Sequence, residues 1–134
     1  EKLKRFCDVD GHRSMAFVAT VDKDGCEAIV GVSRYAADAD DSTREIAITV
    51  ADEWQHQGLG TRLARALIQH AREHGVRKLY SIDLADNAHM RMLARDLGMK
   101  AAPDPDNARQ VIYSLNLADL PVAAGPKVVT SSAT

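Results

Sequence analysis

Hydrophobic and polar positions along this chain alternate, switch to a helical period, and alternate again. Residues 15–21, Met-Ala-Phe-Val-Ala-Thr-Val, read as a strand, because extended chain points successive side chains to opposite faces. Asp22-Lys23-Asp24-Gly25 reads as a turn, and Gly25 suits a positive φ there. Residues 26–35 form a second strand centred on Ile29 and Val30, with Gly31 as a bulge position. The two strands are expected to pair as an antiparallel hairpin. Residues 36–43 read as a polar, acidic, solvated loop.

Residues 44–50 are a β-branched run. Strict alternation puts Glu45, Ala47 and Thr49 on one face and Ile46, Ile48 and Val50 on the other. The period then becomes helical. Leu59, Leu63, Ala66, Leu67 and His70 make one stripe, while Arg62, Arg65, Gln69 and Arg72 face outward. This helix is expected to reach about His74 and to end at Gly75. Residues 77–84 read as a strand, and strand–helix–strand implies a right-handed crossover and a parallel pair. Asp86 and Asn87 are candidate caps for a helix running to about Leu97, with Gly98 closing it. Residues 101–108, with Pro103 and Pro105, read as a loop, and 109–117 as a final strand. Residues 1–7 read as the end of a helix, Leu3 and Phe6 lying one turn apart. Residues 118–134 read as an irregular tail without apolar pattern. The expectation is one α/β domain over 1–117, with more protein upstream.

Composition narrows the function by exclusion. A net charge of -2 gives no electrostatic reason to expect nucleic acid or an anionic membrane as partner. Aromatic residues are 4% of the chain, too few for a base-stacking surface. No apolar run approaches the ~20 residues of a membrane span, and the N-terminus lacks the apolar segment of a signal peptide. Cys7 and Cys26 are isolated, without metal-ligand spacing, and read as free thiols of a cytoplasmic protein. His70 and His74 share a helix face, but no third ligand or His-Glu-x-x-His pattern accompanies them, so solvent rather than metal is expected.

The stretch from Arg44 to Ala71 is strand, glycine-containing turn and helix. Gly58 and Gly60 bracket the helix start. Glycine lets backbone N–H groups close on a ligand, and a first helical turn offers unpaired donors and the positive end of a dipole to an anion. Two glycines alone fit a plain strand–helix turn better than a ligand site. No Gly-x-x-x-x-Gly-Lys is present, so this is not a Walker A loop. A dinucleotide fingerprint lacks its third glycine and its acidic partner.

Gln55-x-x-Gly58-x-Gly60 resembles the Gln/Arg-x-x-Gly-x-Gly/Ala signature of the GNAT superfamily of acetyl-CoA-dependent N-acetyltransferases. A second match agrees with it. Asn87, Met90, Leu93, Gly98 and Met99 follow the spacing of that superfamily's later helix, and the strand order agrees over roughly residues 14–117. Glu45 to Gly60 and Leu84 to Met90 are most similar to the bacterial Pat-type protein lysine acetyltransferases. The resemblance implies a mixed, mostly antiparallel twisted sheet, splayed at a central parallel pair and flanked by helices. It also implies that the first strand and helices of the family are mostly lacking here.

By the same resemblance, the backbone around Gln57, Gly58, Leu59, Gly60 and Thr61 would bind the CoA pyrophosphate, with Gln55 in the motif. His56 lies in the same loop and could touch phosphate. The backbone of Ile48, Thr49 and Val50 would bind the pantetheine arm as an added strand, and an N–H near Val50 could serve as an oxyanion site. Asn87, with Met90 after it, would stand at the pantetheine, Asn87 also capping its helix. No metal is implied.

Transfer to a lysine needs a neutral amine. At pH 7 that costs about 4.6 kcal/mol, from a pKa of ~10.4 at ~1.36 kcal/mol per unit, so a general base is required. Glu45 is the candidate, placed by the resemblance and expected to be desolvated; Glu53 is the competitor, and on its own Glu45 reads as an exposed strand-end residue. The family's tyrosine acid falls at Ala94, which leaves water or another group, with Tyr113 and Tyr80 as substitutes. The acceptor is expected to be a protein lysine, such as that of an acyl-CoA synthetase. A small amine or an N-terminal amine is the alternative within enzymes. A non-catalytic acyl-CoA-sensing module attached to a regulatory domain is the alternative outside them.

Overall fold

The computed structural model describes residues 2–7, 14–37 and 42–119. Strands β1 (Lys2–Cys7), β2 (Ser14–Lys23), β3 (Cys26–Ala37) and β4 (Thr43–Val50) come first. Helix α1 (Leu59–Glu73), strand β5 (Lys78–Leu84), helix α2 (Ala88–Leu97) and strands β6 (Lys100–Asp104) and β7 (Asn107–Asn116) follow. The strands form one sheet in the order β1-β2-β3-β4-β5-β7-β6. Every neighbouring pair is antiparallel except β4 and β5, which α1 joins as a parallel crossover.

Two segments differ from the sequence reading. Residues 2–7 are strand rather than helix, paired with β2 from Lys2↔Thr20 to Cys7↔Met15. Two apolar positions cannot fix a period, and the partner edge decided it. Residues 101–108 are a hairpin rather than a loop. Pro103 sits on β6, the last strand of the sheet, where an absent N–H costs no ladder bond. The tail is described only to a short turn at Leu117–Asp119, and the rest of 118–134 lies outside the described residues.

The bulge expected at Gly31 lies one residue earlier. Ala19 pairs with Gly31 and Thr20 with Ile29, so Val30 is the extra residue. It shifts the inward phase of β3, which then buries Gly31, Ser33 and Tyr35 under α1. The helix stripe Leu59, Leu63, Ala66 and Leu67 packs there with Phe17, Ile46, Val50 and Leu79. Helix α2 adds Met90, Leu93 and Ala94 against Ala64 and Tyr113 on the same face. The opposite face carries Glu45, Ala47 and Thr49 and the exposed apolar residues Ile29 and Ile82.

Buried polar groups under α1 are paired. Ser33 Oγ donates to the Leu63 carbonyl at 2.9 Å, and Tyr35 Oη meets His70 Nδ1 at 2.9 Å. His70 is 5% exposed, so the expectation of solvent fails for it. His74 is exposed and stacks on His70, ring centroids 4.0 Å apart. The Arg44 guanidinium lies 5.9 Å from the Tyr35 ring centroid. Cys26 is an exposed free thiol.

Gly31 sets how closely α1 approaches the sheet. A Cβ built there would stand 2.8 Å from Leu63 Cδ1 and 3.4 Å from the Thr49 carbonyl oxygen. Leu63 is fully buried and has little room to retreat. Gly31→Ala is expected to lower stability by roughly 1–3 kcal/mol, as overpacking does, read as a shifted midpoint in chemical denaturation.

Candidate functional site: a cleft between parallel strands

β4 and β5 pair over Thr43↔Lys78, Arg44↔Leu79 and Glu45↔Tyr80, and no further. Beyond that point β4 remains bonded to β3 as far as Val50↔Gly31. β5 remains bonded to β7 as far as Leu84↔Gln110. The sheet therefore opens as a V with Glu45 and Tyr80 at its apex. The backbone of 46–50 has no strand on its β5 side among the described residues. Five residue steps from Glu45 to Val50 make the open edge roughly 16 Å long at ~3.3 Å per residue.

The mouth of the V is closed by the turn between β4 and α1. The Ala51 N–H donates to the Val30 carbonyl at 2.8 Å and fixes where β4 ends. Gln55 Nε2 donates back to the Val50 carbonyl at 3.2 Å. Gln57 Nε2 donates to the Glu53 carbonyl at 3.1 Å. These bonds fold the loop on itself, so both glutamine side chains shape the turn. His56 sits at φ 63° and Gly58 at φ 80°. The left-handed region admits glycine freely and histidine at a cost.

Gly58 is the N-cap of α1, with no side-chain cap and no acidic residue in the first turn. The donors at that end and the positive end of the dipole are left to an incoming anion. Leu59 is buried and anchors the turn. Gly60 is buried beside α2, where an added Cβ would stand 3.4 Å from the His89 ring and 3.6 Å from Val50 Cγ2. α2 brings its own N-terminus here. Asn87 Oδ1 accepts the Met90 N–H at 3.0 Å, and this helix too has no acid in its first turn.

A cavity of about 180 Å³ lies between the start of α1 and the flank of α2, lined by His56, Gly58, Gly60 and Thr61 on one side and by His89, Met92, Leu93 and Asp96 on the other. The His89 pKa lies below the ordinary value, first because burial penalises the imidazolium and second because His56 is near. The two rings are 6.3 Å apart and edge to face.

The expected phosphate-loop residues Gln55 to Thr61 are thus gathered at the mouth, and Ile48, Thr49 and Val50 line the run inward. Met90 is 4% exposed and its side chain belongs to the core; only its N–H faces Asn87. Glu53 is exposed in the short 3-10 turn Asp52–Trp54, at the far end of β4 from Glu45. Glu45 is itself exposed, and the burial expected around it is not found among the described residues. Sequence reasoning missed His89, though it lies two residues after Asn87 in the second motif; its placement beside Gly60 depends on how two helices meet.

Residues 2–99 match the model of the acetyltransferase (GNAT) family. An acetyltransferase of Pseudomonas aeruginosa is 46% identical over 115 residues, covering 86% of this chain and 62% of the relative. The chain thus spans less than two thirds of that curated relative's length. Among solved structures, the GNAT domain of Streptomyces lividans PAT superposes with a TM-score of 0.69 at 22% identity, covering 81% of this chain and 64% of that one. A cAMP-binding acyltransferase from Mycobacterium smegmatis superposes with a TM-score of 0.68 at 24% identity, covering 86% of this chain and 35% of that one. At those identities the two structures speak for the fold alone. The cleft, the glycine turn at its mouth and the match over most of the length agree: this chain belongs to the GNAT acetyltransferase family.

Proposed function

We propose that residues 1–117 form a catalytic domain that transfers the acetyl group of acetyl-CoA to the side-chain amine of a protein lysine. The observation that carries this reading is the short β4–β5 pairing with an uncapped, acid-free helix start at its open end. The open β4 edge suits an extended amide-bearing arm, which can add as a strand. The turn at Gly58 suits the diphosphate at the end of that arm. Acetyl-CoA is therefore read as bound with its diphosphate at the mouth and its thioester toward the apex.

At the apex, the Glu45 carboxylate would take a proton from the lysine ammonium, directly or through water. Glu45 is exposed in the chain alone, so a docked acceptor would supply the desolvation that strengthens the base. The acceptor reading rests on the similarity of residues 45–60 to Pat-type enzymes. An enzyme for a small or N-terminal amine would use the same cleft and base, and a thiol-release assay over a panel of amines and purified acyl-CoA synthetases separates the two. Binding of acetyl-CoA without thiol release over that panel would instead favour a sensing module.

Return of a proton to the departing thiolate falls to Tyr113 in this reading. Ala94 occupies the family's tyrosine position, and Tyr113 packs in the same cluster. Tyr113 is 4% exposed and its hydroxyl makes no hydrogen bond among the described residues. A buried hydroxyl without a partner costs stability and calls for a reason.

Gly58→Val has space for its side chain but not the backbone freedom, since φ is 80° and nothing lies within 4 Å of the new Cβ. It is expected to distort the turn and remove measurable acetyl-CoA binding by calorimetry; unaltered affinity would sink the phosphate-turn assignment. Glu45→Gln should keep cofactor affinity and lose about 10²-fold or more in turnover, and wild-type turnover would remove Glu45 as base. Tyr113→Phe should lose turnover on the order of 10²-fold while thermal stability holds or rises. Intact turnover in that variant would return Tyr113 to a packing role.

A further inference from the structure

His89 stands in none of the roles above, yet it occupies the wall of the cavity facing the Gly58–Gly60 turn. Its position is unusual for a basic group. It lies in the first turn of α2, where the dipole disfavours positive charge, and that turn holds no acid to offset it. His56 faces it from the loop, edge to face at 6.3 Å. His56 is held at a positive φ of 63°, a conformation that costs a residue with a Cβ. α1 contributes Gly60 and Thr61 to this wall, which do not titrate. Asp96, further along α2, is the carboxylate among the lining residues. Two imidazoles, the uncapped start of α1 and the acid-free first turn of α2 face a gap whose one lining carboxylate, Asp96, lies near the other end of α2.

We infer that His56 and His89 form an imidazole clamp on the diphosphate of the bound cofactor, with His89 taking up a proton as the anion enters. The inference rests on the acetyl-CoA reading and adds a ligand from α2 to a site otherwise built from backbone. In the free protein His89 is held below the ordinary 6.5 by burial and by His56, so it is neutral at pH 7. A diphosphate beside the ring favours the imidazolium and raises that pKa in the complex. Affinity then rises as pH falls through the pKa of the complex. It levels off below the lower pKa of the free protein. Gly60 faces the ring directly, and a Cβ there would stand in contact with it at 3.4 Å.

The test is an NMR titration of the imidazole ring protons of the whole chain from about pH 5 to about pH 8, without and with saturating CoA, assigned through His56→Gln and His89→Gln. The expected result is a rise of about one unit in the His89 pKa on binding, equivalent to about tenfold tighter binding of the protonated form. The same pKa with and without CoA overturns the clamp. CoA affinity measured against pH by calorimetry gives a second readout. His89→Gln should flatten the dependence, and His56→Gln combined with His89→Gln should reduce it to that of the ligand's own monoester phosphate, which titrates near ~6; a wild-type slope in His89→Gln also overturns the clamp. If CoA moves no backbone amide signal of residues 57–61, the cofactor reading fails, and the clamp with it. Shifted amides beside an unmoved His89 fail the clamp alone.

Discussion

A strand in the middle of a sheet normally spends both edges on its neighbours, and β4 does so for only three residues. From Thr43 to Glu45 it is bonded to β3 and β5 alike; from Ile46 onward one edge is open. Each backbone group on that edge is a donor or acceptor that structure or solvent must satisfy. The rest of the fold holds this opening in place. β3 and the Gly31 contact fix β4 to α1 on one side, and β7 fixes β5 on the other. Each half of the sheet keeps its strand pairing alongside the cleft.

The packing under α1 serves the same end. The bulge at Val30 turns Gly31, Ser33 and Tyr35 inward, and the missing side chain at Gly31 lets Leu63 sit over β3. The Ser33–Leu63 and Tyr35–His70 bonds then fix the helix along its length. A helix held in this way presents its first turn at a set height above the end of β4. The turn from Ala51 to Gly58 needs to span only that gap, and its own side chains close it.

Sequence period and turn chemistry made much of this legible. The β2–β3 hairpin, the β4–turn–α1–β5 unit and the Asn87 cap are local patterns whose signals lie within a few residues. β1 was not legible, because its pairing partner supplies what its own two apolar positions do not. β6 was hidden by Pro103, a breaker in a central strand but harmless at an edge. His70 read as solvated because its partner, Tyr35, is remote in sequence and meets it only after α1 docks. His89 escaped for the same reason: nothing near it in the chain reveals that it comes to lie beside Gly60 of another helix. Residue types announced the backbone half of the candidate site, whereas the side chains that enter it from a second helix needed the fold.

The open edge of β4 also bears on how the chain keeps to itself. An unpaired strand edge is a template for another strand, and natural sheets usually blunt it with charge, proline or a covering element. Here the edge lies inside the sheet and, from Ile46 to Val50, carries no charge and only Thr49 as a polar residue. An edge inside the sheet is flanked by β5 and is less open to a neighbouring chain than an outer edge, but the strongest protection is an occupant. A ligand that fills the cleft and binds only the folded state raises apparent stability by mass action. On the acetyl-CoA reading, the cofactor would act as a missing piece of sheet, and its concentration would set how long the cleft stands bare.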